Sequence, residues 1–72
     1  MVGHTVKAFD EDITRLRGLI AEMGGLAEVA IQHALEAIVH GDEELAAQVV
    51  ERDRKLDALE NEVDAMAVRM LA

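Results

Sequence analysis

Apolar residues along this chain recur at alternating steps of three and four. In the first half Ile13, Leu16, Ile20, Met23, Ala27, Ala30, Ala34 and Ala37 form one such series. That is the spacing of side chains stacked on one face of a helix. Leu19, Leu26, Ile31, Leu35 and Ile38 widen the stripe, which suits a bundle helix better than the narrow seam of a two-stranded coiled coil. In the second half Leu45, Val49, Leu56, Leu59, Val63, Met66 and Met70 repeat the pattern. Ala46, Val50 and Ala67 broaden it, and Arg52 stands where another apolar residue would fall.

The break between the two series is His40-Gly41-Asp42-Glu43-Glu44. Glycine tolerates the positive φ common just past a helix end. Aspartate caps a following helix, and glutamates favour its first turn. The pattern therefore predicts one helix over roughly residues 8–40, a turn at 40–42 and a second helix over roughly 42–71. Asp10, Glu11 and Asp12 are expected near the first helix start, where acids suit the dipole. A turn this short makes the helices antiparallel. The fold class is all-α, with residues 1–72 forming a single helical hairpin. Each helix would be on the order of 45 Å long, and two such helices cover only one side of each other. The expectation is self-association, as a dimer or higher oligomer that completes a four-helix bundle. Gly24-Gly25 conflicts with the first helix, at about 1 kcal/mol per glycine. Close approach of a neighbouring helix or a mild bend is expected there, with a hinge or a break as the alternatives.

Composition narrows the function classes. The 72 residues contain no Pro, Cys, Trp or Tyr, and Phe9 is the one aromatic residue. Half-apolar, charge-rich composition favours amphipathic helices over disorder. The absence of cysteine removes disulfides and thiolate zinc sites. Seven Lys and Arg face fifteen Asp and Glu, so no nucleic-acid partner is expected, because phosphate contacts need clustered positive charge. No run of about 18 apolar residues suggests membrane insertion, and no apolar leader stands out. A cytoplasmic, non-enzymatic protein is the expectation, with no organised nucleophile set and no glycine-rich phosphate loop.

The chemistry-bearing candidates are acidic. Asp53, Asp57, Glu60 and Asp64 lie at i, i+4, i+7 and i+11. They form one stripe about 100° round from the Leu56–Leu59–Val63 seam. Such a row is either a solvated face or half of a carboxylate site for iron or another divalent cation such as Mg²⁺ or Mn²⁺. Repulsion along it costs only a few tenths of a kcal/mol per pair. Arg52, Arg54 and Lys55 could offset it by pairing with Glu51, Asp57 or Glu62. His4, His33 and His40 lack the Glu-x-x-His spacing of di-iron bundles, although Glu36 and His40 are four apart. Met23, Met66 and Met70 are expected in core packing, with an adaptable partner-binding surface as the alternative.

An ordered set of residues also resembles a known family. Phe9-Asp10, Leu16-Arg17, Met23-Gly24 and Ala34-Leu35 with Ala37 come first. Asp42, Leu45-Ala46 and the acidic helix with Asp53, Asp57, Glu60 and Asp64 follow. From about residue 4 onward the chain is similar to the opening of the PhoU family of phosphate-uptake regulators. The resemblance implies an all-helical protein built from two three-helix repeats. It implies a non-catalytic negative regulator acting with a phosphate ABC transporter and a phosphate-responsive sensor kinase. Some family members hold multinuclear iron or other metal clusters through paired Glu/Asp-x-x-x-Asp motifs. Glu60 and Asp64 match half of that pairing. The third helix, with its Glu-Arg-Ile-Gly-Asp motif, has no counterpart here. The chain therefore reads as a truncated or fragmentary member, with part of one repeat. A structural helical oligomer or a carboxylate metal-binding bundle is the alternative.

Overall fold

The computed structural model describes the backbone of residues 2–72 and the side chains from residue 6 onward. Two helices account for nearly all of it: α1 spans Val2–His40 and α2 spans Glu43–Leu71. α1 begins several residues before the expected position near residue 8. No proline interrupts residues 2–7, and the helix extends back to Val2. Asp10, Glu11 and Asp12 accordingly sit inside α1, and no acid occupies its first turn.

The turn follows from three residues. Gly41 adopts φ 62°, the left-handed conformation that glycine takes without Cβ strain. The Gly41 N–H donates to the Ile38 carbonyl, and the Asp42 N–H donates to the Ala37 carbonyl at 2.9 Å. These two bonds form the Schellman closure of a helix C-terminus. Asp42 then caps α2: its Oδ1 accepts from the Leu45 N–H at 2.9 Å, with Glu43 and Glu44 in the first turn behind it. One aspartate thus ends α1 and begins α2.

α1 is longer than α2, 39 residues against 29. The molecule is a rod of 58 × 15 × 13 Å, with the N-terminal part of α1 projecting beyond α2. The core is Leu19, Leu59 and Met66, flanked by half-buried Leu16, Met23, Leu26, Val63 and Met70. Ala37 is buried near the turn. On α2 the buried and half-buried apolar residues are those of the expected seam and Ala67 beside it, and Glu62 is half-buried too. On α1 seven of the eight expected seam residues are buried or half-buried, Ile20 being the exception, and Leu19 and Leu26 of the wider stripe join them. The series facing α2 contains Leu16, Leu19, Met23 and Leu26, while Ile20 is 52% exposed. α1 carries two apolar seams about a quarter turn apart, and only one meets α2. The helix continues through Gly24-Gly25. A Cβ at either glycine would meet nothing within 4 Å. The expected close approach is therefore not made within the hairpin, and α1 is not broken there.

The hairpin exposes 5599 Å². A compact monomer of 7.9 kDa would expose about 4,400 Å². The difference, about 1,200 Å², is larger than the ~800 Å² that one partner buries in a standard interface.

Candidate functional site

The second seam of α1 defines the site. Ile20, Ile31 and Ile38 follow at helical spacing and are 52%, 63% and 77% exposed. Gly24 and Ala27 lie on the same line. Near the turn this seam meets α2 in an open groove of about 450 Å³, lined by Ala34, Ala37, Ile38, Gly41, Ala46 and Val49. The alanines keep it wide, because they leave room where larger side chains would close it.

From Ala46 and Val49 the same line on α2 continues at steps of three and four to Asp53, Asp57, Glu60 and Asp64. The acidic stripe therefore borders the same side of the hairpin as the outward seam of α1. All four acids are exposed. Among the described residues none of them joins an ion pair: the pairs are Arg15–Glu62 between the helices and Arg54–Glu51 within α2. Arg15 and Glu62 both project on the opposite side of the hairpin. The four carboxylates thus border the apolar groove without a basic partner among the described residues.

The expected pairings near the stripe are corrected at two positions. Glu62 takes Arg15 of α1, not a basic neighbour on α2. Arg52 Nη1 lies 2.7 Å from His33 Nδ1. The guanidinium can only donate, so Nδ1 is the acceptor in this contact. That contact is how an arginine is accommodated on the apolar seam.

The metal reading meets a geometric requirement that one copy does not fulfil. The four acids stand side by side along a single helix, and among the described residues no group of three or more His, Asp or Glu converges on a metal position. A hard-cation shell takes several converging oxygens, more than Glu60 and Asp64 bring together among the described residues. His33 contacts Arg52, His40 is exposed at the end of α1, and His4 lies outside the residues whose side chains are described. Among the described residues no helix is long and apolar enough to cross a membrane.

Comparison with known proteins follows the same outline. The PhoU domain model matches residues 20–72. A phosphate-specific transport system accessory protein PhoU homolog of Zymomonas mobilis subsp. mobilis is 56% identical over 71 residues, covering 99% of this chain and 30% of that protein. The corresponding homolog of Caulobacter vibrioides (strain NA1000 / CB15N) is 38% identical over 72 residues, covering 100% of this chain and 31% of that protein. That of Rhizobium meliloti is 38% identical over 69 residues, covering 96% and 29% respectively. The chain therefore spans about three-tenths of the length of these relatives. No solved structure matches it.

Proposed function

The chain belongs to the PhoU domain family, and from that premise we propose that it serves a non-catalytic, regulatory role in phosphate transport and phosphate signalling. The observation that carries this reading is the 56% identity, over nearly the whole chain, to a phosphate-specific transport accessory protein. The mode of action is contact between proteins, made through the exposed seam of α1 and the acidic border on α2. The proposed partners are a phosphate ABC transporter and a phosphate-responsive sensor kinase, met on the cytoplasmic side of the membrane. Deleting the coding region in its host tests this. Phosphate uptake and phosphate-starvation transcripts, measured in phosphate-rich medium, are expected to rise. Unchanged levels of both would overturn the proposal.

A second reading has one observation in its favour. The excess exposed surface would be reduced if two copies met to form a four-helix bundle. Light scattering on the purified chain reads this directly as a doubled or higher mass. A metal half-site at Glu60 and Asp64, extended to Asp57 and Asp53, is a further proposal that needs donors beyond the described residues. Metal analysis of protein prepared without chelator tests it, with Glu60→Ala plus Asp64→Ala as the control. Bound metal unchanged by that double substitution would remove these residues from consideration.

A further inference from the structure

We propose that the His33–Arg52 contact makes the pairing of the two helices sensitive to protons, loosening the turn-side half of the hairpin as pH falls. Arg52 is the one charged residue on the apolar seam of α2. Its Nη1 lies 2.7 Å from Nδ1 of His33 on α1, so at this level the helices are bridged by two basic side chains. His33 is half-buried. Among the described residues neither side chain pairs with a carboxylate. Packing beside the pair is loose: a cavity of about 30 Å³ is lined by Leu26, Val29, Ala30, Arg52, Asp53 and Leu56. The core of Leu19, Leu59 and Met66 lies on the side of the pair away from the turn. On the turn side the buried residue is Ala37, which makes that half the weaker one.

The contact holds only while one of the two bases lacks a proton. A guanidinium stays charged and can only donate. Imidazole changes charge between pH 5 and 8, and the imidazolium carries a proton on both ring nitrogens. A proton on Nδ1 therefore removes the acceptor and sets two cations against each other across the seam. Charged neighbours compensate little. On α2 Glu51, Asp53 and Lys55 flank Arg52, and on α1 Glu36 stands one turn beyond His33, all of them exposed. Water screens such pairs. The sign follows: the contact stabilises the hairpin where the imidazole is neutral, and that contribution fades as pH falls through the range in which histidine takes up its proton. The net charge of −8 works the other way, because acid relieves self-repulsion. The His33 effect is therefore read as a difference between variants. The inference rests on a contact between α1 and α2, independent of the exposed faces and of the phosphate role.

Urea unfolding of the chain, followed by circular dichroism at about pH 7.5 and about pH 5.5, tests it. His33→Gln supplies a side chain that accepts from Arg52 at both pH values and takes up no proton. Arg52→Leu removes the donor, and the double variant closes the cycle. Between the two pH values the wild type should lose about fivefold more of its folded-to-unfolded ratio than His33→Gln, the equivalent of one hydrogen bond. In the Arg52→Leu background the same replacement should leave the pH dependence unchanged. His4 and His40 are present in every variant and cancel. Amide hydrogen exchange, corrected for its intrinsic pH dependence, should place the loss in residues 33–52 and spare the segments around Leu19 and Met66. Parallel pH profiles of wild type and His33→Gln would overturn the proposal. So would a His33-dependent difference that persists undiminished with Arg52→Leu, or exchange that rises evenly along both helices.

Discussion

Truncating Met66 to alanine probes the seam that holds the hairpin together. Met66 is the most buried side chain in the core at 2% exposure, packed with Leu19 and Leu59. A Met→Ala change in a core costs about 2–5 kcal/mol, depending on how far the site collapses. Here its neighbours Leu16, Met23, Leu26, Val63 and Met70 are only half-buried, so the space can shrink or admit water. The expected loss is therefore at the low end, about 2–3 kcal/mol. A chain of this size has at most on the order of 4–11 kcal/mol to lose, and an elongated hairpin sits low in that range. With a urea slope of about 1 kcal/mol/M, the unfolding midpoint should fall by about 2 M. Urea titration followed by circular dichroism at 222 nm, at one fixed protein concentration, measures this. Leu71→Ala is the control: that side chain is 89% exposed and should shift the midpoint hardly at all. A loss below about 0.5 kcal/mol for Met66→Ala, or equal losses for both variants, would refute the assignment of the buried seam.

Three further substitutions test the turn, the polar contact on the seam and the glycine pair. Asp42→Ala removes the carboxylate that accepts from the Leu45 N–H and should cost about 1 kcal/mol in the same titration. Arg52→Leu replaces the one polar residue on the α2 seam and should raise the midpoint, because leucine restores apolar contact where Arg52 now meets His33. A lowered midpoint would show that the Arg52–His33 contact outweighs the packing. Gly25→Ala, with nothing within 4 Å of the new methyl, should stabilise the isolated hairpin by about 1 kcal/mol.

The turn and α2 were legible in the sequence because local chemistry decides them. Gly41 and Asp42 act through their own backbone and side chain, and α2 carries a single well-defined seam. The face of α1 was legible in most of its seam and not at its edge, where Ile20 lies. Its apolar residues form two seams, and periodicity alone cannot say which one a partner covers. Ile20 and Leu19 are equally apolar, yet Leu19 is buried and Ile20 is half in water. The pairing of Glu62 with Arg15 was hidden for a related reason: the two are 47 residues apart, and only the antiparallel register brings them together. The early start of α1 reflects the lack of a stop signal, which composition marks more weakly than it marks a cap. Of the candidate site, the acidic stripe was visible as spacing. Its position on the same side as the outward seam required both helices in place.

Side-chain footprinting with hydroxyl radicals reads the packing of the hairpin directly. Leu19 and Met66, buried between the helices, should be protected, and Ile38, exposed beside the turn, should react freely. Met66 and Leu19 reacting as fast as Ile38 would contradict the assignment of the buried seam.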